Sequence, residues 1–356
     1  MNRTLGCYSK YLVDTLNISQ AQLYDPATMK PVVPPGCVGF SAVYDCGAEP
    51  YRTHLLAMLQ AVADNLCEHS GGIVIDRQDF LGLVNPRSDD GVTAYISQPT
   101  VPEVKAYRST SVGWIKFMDS ASEIIHKGAK RAITINDHSY RVDMMHHVDH
   151  AADEHGGSMD RIHAGSLAFM SKPVAHSIGH TNSPSMLQTL LFWGSMWGDN
   201  WQVGNDKAPF GQTALDYAPL FRQLRGKLWA GDAHAVSVVG GGAAQANLFE
   251  IEPPKTSSSA AGAAAAAAAA ADPPAARVRV LVVVFGPASG TITVAVRGGG
   301  VASYKNATLF HPGVRATTLA PPAVTAAGMA HVSVPLSHGD PHGCAVVRLV
   351  PAGGEE

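Results

Sequence analysis

Apolar and polar positions follow two rhythms along this chain. Up to about residue 232, short apolar runs, "GCYSKYLV" (6–13), "GIVID" (72–76), "RAITIND" (131–137) and "VDHAADE" (148–154), alternate with longer stretches of helical period, "YRTHLLAMLQAVADNLCEH", "STSVGWIKFMDSASEIIHKGA" and a short "YRVDMMHH". Strand followed by helix, repeated, predicts a parallel sheet. Two further strands are expected in "AFMSKPVAHSI" and "LLFWGSM", ahead of a helix at "TALDYAPLFRQLRGKL". About six strands with crossover helices fit either an open doubly wound sheet or a (β/α)₈ barrel. No G-x-G-x-x-G follows the first strand, as a dinucleotide fold would require, whereas polar residues do close several strands, as barrels require. From residue 233 the rhythm becomes that of short strands punctuated by Gly and Pro, "HAVSVVGGGAAQANLFEI", "RVRVLVVVFG", "TITVAVRG", "MAHVSVPL" and "CAVVRLVPA". The expected organisation is a β/α barrel over 1–232 and an antiparallel β-sandwich over 233–356, interrupted by an alanine-rich surface loop at 253–276.

Composition narrows the partners. The chain has 356 residues, 46% hydrophobic and 15% charged, with a formal net charge of −3. That balance gives no electrostatic reason to expect nucleic acid or an anionic membrane surface, and outside polyalanine no apolar run is long enough to cross a bilayer. The five cysteines form no C-x-x-C pair, so neither a disulfide framework nor a zinc site is expected; at most Cys37 and Cys46 pair. No secretory leader is visible, while sequons at Asn2, Asn17 and Asn306 hint at secretion, which leaves the compartment open. Oligomeric state is equally open.

The strand ends carry the candidate chemistry. "GIVI" stops at Asp76, Arg77 and Asp79; "AITI" gives way to Asn136, Asp137 and His138; "VDHAA" ends in Asp153, Glu154 and His155. Any one of these is ordinarily a helix cap or turn residue, but three strands in succession converge acidic and amide groups on one rim. Neighbours in a strand point to opposite sides, so an inward Asp76 leaves Arg77 to support the rim from behind. Two carboxylates across a pocket are what hydrolysis of a glycosidic bond needs, one to attack or activate water and one to protonate the leaving oxygen. Asp76 with Asp153 or Glu154 supplies such a pair, with Asp153 the first choice for the acid.

Three segments, "GGIVIDRQDFLGLVNPRSDDG", "AITINDHSYRVDMMHHVDHAADE" and "AHAVSVVGGGAAQANLFEI", resemble glycoside-hydrolase-like (β/α)₈ barrel proteins in which I-D-R-x-D-W and V-D-G-I-F-D-E patterns recur. The resemblance spans about residues 5–250. More distantly, the spacing is similar to that of the retaining α-galactosidase-like clan, with a nucleophile Asp ending strand four and an acid/base Asp ending strand six. It implies a glycosidase acting on O-glycosidic bonds of a carbohydrate substrate without a cofactor, and it makes "GIVID" strand four and "GCYSKYLV" strand three. Strands one and two then have no counterpart: the chain is truncated, a partner supplies them, or the barrel is not closed. The alternative function is a non-catalytic or degenerate carbohydrate-binding protein.

Three other groupings carry candidate chemistry. Of sixteen histidines, His146, His147, His150 and His155 concentrate in "HHVDHAADEHGG", but H-E-x-x-H is absent and a helix-to-strand transition after His147 would scatter the rings, so no metal is expected. In "FWGSMWGDNWQVGND" the tryptophans Trp193, Trp197 and Trp201 alternate with glycines and with Asp and Asn, which reads as a loop where Trp197 stacks on sugar and Asp206 binds its hydroxyls. "AGSLA" around Ser166 lacks the second glycine of a nucleophile elbow.

Overall fold

The computed structural model describes residues 10–33, 43–66, 69–75, 82–88, 94–95, 105–136, 142–153, 159–169, 172–176, 184–197, 210–229, 235–240, 243–251, 277–285, 290–297, 303–336 and 343–352. The chain divides into two compact units, Met1–Glu154 and His155–Glu356. It is a mixed α/β protein with parallel strands and several antiparallel sheets.

In the first unit, α1 (Lys10–Thr15) is helical where the apolar run "KYLV" had been expected to form a strand. Three adjacent apolar residues do not distinguish helix from strand, and the local hydrogen bonds decide. Ile18 N–H donates to Val13 at 3.1 Å, and Asn17 closes the turn at φ +51, a conformation asparagine tolerates. Next come α2 (Tyr51–Asp64), β1 (Gly72–Ile75), and the short strands β2 (Val84–Asn85), β3 (Ala94–Tyr95), β4 (Lys105–Ala106) and β5 (Arg108–Ser109). β2 pairs with β5 and β3 with β4, both antiparallel. Helix α3 (Thr110–Ser122) starts under a Ser109 side-chain cap on the Ser111 N–H. Its buried stripe of Trp114, Phe117, Met118 and Ala121 runs on to Ile125 at i, i+3, i+4, i+7 and i+11. A π-helical turn over Glu123–Gly128 then leads into β6 (Ala132–Asn136), and a 3₁₀ turn over Val142–His147 into β7 (His150–Asp153).

β1, β6 and β7 pair in parallel, with Ile75 opposite Ile135 and Asn136 opposite Ala152. The approach of β1 to β6 needs a glycine: a Cβ on Gly72 would lie 2.1 Å from the Ala132 carbonyl oxygen. Ile75, Ile133, Ile135 and Ala151 are buried on one face of this sheet, while the opposite face carries half-buried Thr134, Asn136 and Ala152 and the 57% exposed Val74.

The second unit contains α4 (Met159–Phe169), β8 (Val174–His176), α5 (Pro184–Phe192), β9 (Met196–Trp197), α6 (Phe210–Arg222) and β10 (Lys227–Trp229). The strand expected across "LLFWGSM" is confined to its end, since Leu190–Phe192 complete α5 with Leu187, Leu190 and Leu191 on its buried stripe. There follow β11 (Val236–Gly240), β12 (Gln245–Ile251), β13 (Val278–Val284), β14 (Gly290–Arg297), β15 (Tyr304–Phe310), β16 (Thr317–Leu319), β17 (Met329–Leu336) and β18 (Cys344–Pro351). β8 and β9 pair in parallel. The rest form a six-stranded sheet ordered β10-β12-β13-β18-β15-β16 and a three-stranded sheet ordered β11-β14-β17, both antiparallel.

β13 and β18 are buried on both faces, which suits their valine-rich, nearly continuous apolar sequences. Leu281, Val283, Val347 and Leu349 share one core with Val294, Val296, Val332 and Val334 of the three-stranded sheet. Val280, Val282 and Val346 share another with Leu187, Leu190 and Leu191 of α5 and with Tyr217, Leu220 and Phe221 of α6. No helix among the described residues is long and apolar enough to cross a membrane.

Candidate functional site

The parallel register of β1, β6 and β7 brings their C-terminal ends to one edge, because strands in parallel all finish on the same side. Asn136 ends β6 there, half-buried, and Asp153 ends β7, 1% exposed. Register partners share a face and neighbours alternate, so Asp153 projects with Ala151 and Ile135 toward the buried side, and Asn136 with Ala152 toward the open side. Asp76, Arg77, Asp79, Asp137, His138, Glu154 and Asp206 lie outside the described residues.

A second constellation stands where α3 meets the 3₁₀ turn. Asp119, His146 and His147 each offer a ligand-type atom within 4.8 Å of the others. The His147 Nε2 is 3.1 Å from Asp119 Oδ1, and its Nδ1 lies 3.3 Å from the Ser122 hydroxyl. The two imidazoles are in contact, tilted at 45° with ring centroids 3.6 Å apart. They line an open cleft of about 630 Å³ together with Ser122, Glu123 and His126. His126 Nε2 pairs at 2.9 Å with Asp149, whose carboxylate also accepts the Ile133 N–H at 2.8 Å and so ties the cleft to β6. Burial, reinforced by the neighbouring His146, holds the His147 pKa below the ordinary imidazole value against the opposing pull of Asp119. The neutral ring is the form that binds metals.

Asp119 was missed in the sequence because the pattern of α3 was read for its apolar stripe alone. Asp119, Ser122, Glu123 and His126 fall at i, i+3, i+4 and i+7, a polar stripe on one helix face that the same periodicity would have exposed.

Other candidate residues have structural positions. Trp197 lies in β9 opposite His176 of β8, in a strand where a loop had been expected; the strand ends right after two residues, which is why glycine and Asp/Asn dominated the reading. Trp193 packs against the α5–α6 core and meets Phe192 edge-on at 5.2 Å. Ser166 is buried and donates to the Trp193 carbonyl. Cys46 is a free buried thiol, not half of a disulfide with Cys37; burial pushes its pKa well up. Asp45, fully buried, accepts from Asn85 Nδ2 at 3.1 Å and the Gly47 N–H at 2.9 Å, with Arg108 Nε at 3.4 Å; burial raises its pKa despite these partners. This network joins the 45–47 loop to β2 and β5, a structural role.

No protein-family model matches the sequence, and no curated protein matches it. Among solved structures the chain is similar to the glycoside hydrolase family 30 subfamily 8 xylanase Xyn30A from Clostridium acetobutylicum, at 9% identity and TM-score 0.40, over 85% of this chain and 71% of that one. It is also similar to a family 44 xyloglucanase from Paenibacillus polymyxa, in one structure at 10% identity and TM-score 0.28 over 67% and 61% of the two chains. In a second structure, with xyloglucan, the values are 10%, 0.32, 92% and 74%. With identities of 9–10% and TM-scores of 0.28–0.40, a functional reading has to rest on the residues of this chain itself.

Proposed function

We propose that this protein is a glycoside-hydrolase-like protein that acts on O-glycosidic bonds through a pair of carboxylates at the ends of its parallel strands. The observation that carries the reading is the register of β1, β6 and β7, which finishes three strands at one edge where the sequence continues into Asp76, Asp137 and Glu154. In this proposal the parallel strands belong to an incomplete β/α barrel over 1–232, and the antiparallel sheets of 233–356 form a β-sandwich. Asp76 is the nucleophile or base. Asp153 is the first choice for the acid and Glu154 the second; Asp153 ends β7 and projects toward its buried side. Arg77, Asp79, Asn136, Asp137, His138, Trp197 and Asp206 are proposed to hold the sugar.

The chemistry needs one carboxylate ionised and its partner protonated near neutral pH, which crowded carboxylates arrange by mutual repulsion. Retention would place the pair about 5–5.5 Å apart and inversion about 6.5–9.5 Å. The burial of Asp153 favours the second reading, a degenerate protein that binds carbohydrate without cleaving it. A screen of aryl glycosides with the native chain, Asp76→Asn, Asp153→Asn and Glu154→Gln separates the two. Turnover lost by Asp76→Asn and by one of Asp153→Asn and Glu154→Gln is the expected result. Turnover undiminished in Asp76→Asn refutes the assignment, and sugar binding without turnover in any of the proteins supports the degenerate reading.

A further inference from the structure

The cleft between α3 and the 3₁₀ turn holds a buried imidazole nitrogen with an unusual surrounding. His147 is 4% exposed, and its Nε2 sits 3.1 Å from Asp119 Oδ1, yet the two do not meet in hydrogen-bond geometry, and Nε2 has no hydrogen-bond partner among the described residues. An ordinary His–Asp ion pair would aim the N–H at the oxygen. Here the two residues instead each offer a ligand atom within 4.8 Å of the other and of a ring nitrogen of His146.

From this geometry we infer that Asp119, His146 and His147 form a binding site for a divalent first-row transition ion of the Zn²⁺ class. Two imidazoles and one carboxylate are a donor set that suits such ions and not Mg²⁺ or Ca²⁺, which take oxygen. With bonds of about 2.0–2.2 Å, two ligands of a tetrahedral ion lie about 3.3–3.5 Å apart, and the pair of His147 and Asp119 is already at 3.1 Å. The widest separation in the cluster, up to 4.8 Å, closes by rotation of His146 and Asp119, both of which are exposed. The other nitrogen of His147 is held by the Ser122 hydroxyl, the outer-shell contact that orients a metal-bound histidine. Helix geometry adds an independent indication: the backbone beside the cluster passes from α-helix into a π-turn at Glu123–Gly128, a distortion frequent at functional sites. Three protein ligands leave a further position open to the cleft, as in sites where the ion binds water or an exogenous ligand. An ion here also clamps α3 to the turn that delivers β7.

The test uses the full chain, stripped with a chelator and then titrated with Zn²⁺ by calorimetry and with Co²⁺ by visible spectroscopy. One ion per chain and ligand-field bands of a low-coordinate Co²⁺ site are expected. Asp119→Asn and His146→Ala, at exposed positions that leave the core intact, should each weaken binding by about tenfold or more, and Ser122→Ala should weaken it by up to about as much. His331→Ala, at an exposed position of β17 in the other unit, controls for histidine binding in general and should change nothing. Circular dichroism confirms that each variant is folded. Binding unaltered in both Asp119→Asn and His146→Ala, or Co²⁺ whose spectrum stays that of the aqueous ion, overturns the inference.

Discussion

Lys227 on β10 is 4% exposed, and its ammonium lies 5.6 Å from the centroid of the fully buried Phe249 ring. Burial lowers its pKa from 10.5 to about 8. That difference of about 2.5 pH units corresponds to about 3 kcal/mol by which folding disfavours the charged form. Below pH 8 the lysine is protonated in both folded and unfolded chains, so the whole cost is present and does not vary with pH. Between about pH 8 and 10.5 the unfolded chain keeps a proton that the folded chain has released, so stability rises with pH, by up to about 1.4 kcal/mol per pH unit.

Lys227→Met keeps the aliphatic stem and removes the charge. It forfeits the cation–π contact, about 0.5–2 kcal/mol, and the net expectation near neutral pH is a variant more stable than the parent by about 1–3 kcal/mol. The second expectation is sharper. Raising the pH from about 7 to about 9.5 should stabilise the parent relative to the variant by about 2 kcal/mol, because only the parent has this proton to lose. Urea unfolding of both proteins at the two pH values measures it, and taking the difference cancels the titration of every other group. A difference that does not change with pH, or a variant less stable than the parent at neutral pH, would show that Lys227 is not destabilised by its burial and would refute the reasoning.

Where the pattern was long, it was legible. The helical periods of 51–69 and 109–129 became α2 and α3, and "GIVI" and "AITI" became β1 and β6. The β-branched runs beyond residue 277 became β13, β14, β17 and β18. Short runs were not legible. "KYLV" formed a turn and a half of helix because Asn17 could take up a positive φ, and "LLF" finished α5 because Leu187, Leu190 and Leu191 of that helix face a core that only the tertiary structure supplies. Helix α4 went unread since "MDRIHAGSLAF" mixes charge, glycine and serine, and its buried Ile162 belongs to a core shared with α5, α6 and the later strands β12, β13 and β18.

The candidate chemistry was legible to a different degree. Strand ends can be located from sequence, and Asn136 and Asp153 do end adjacent parallel strands. Which of two neighbouring carboxylates faces a pocket depends on register, and one residue of offset reverses it; the burial of Asp153 follows from its pairing through Ala151 with Ile135, a contact no local pattern contains. The Asp119, His146 and His147 cluster shows the same limitation. Its histidines stood out, but their partner lies 27 residues earlier on another helix, and the scattering expected between His147 and His150 left His146 and His147 themselves together.

Two further substitutions probe the packing on which these sites rest. Glu250→Gln removes the charge paired with the buried Arg279 at 3.0 Å and with Arg277 at 3.6 Å, and should cost about 1–3 kcal/mol in chemical denaturation, the value of hydrogen bonds to charged groups. No loss would mean that the donation of Arg279 to the Arg297 carbonyl satisfies the guanidinium by itself. Gly113→Ala sets helix propensity against close approach. In an open helix the change would stabilise by about 1 kcal/mol, but at Gly113 the new Cβ would lie 2.1 Å from Asp45 Oδ1. Asp45 is held by Asn85, the Gly47 N–H and Arg108, so it cannot swing aside without leaving a buried carboxylate short of partners. The expected outcome is a net loss of about 2 kcal/mol or more, since overpacking and a broken buried hydrogen bond each cost about 1–3 kcal/mol. Gly128→Ala, whose nearest neighbour would be the Glu123 carbonyl at 3.8 Å, is the matched control and should be tolerated. Thermal melts of the three proteins decide the matter: a Gly113→Ala protein as stable as the Gly128→Ala control would mean that the Asp45 network yields at little cost and does not fix α3 against the loop.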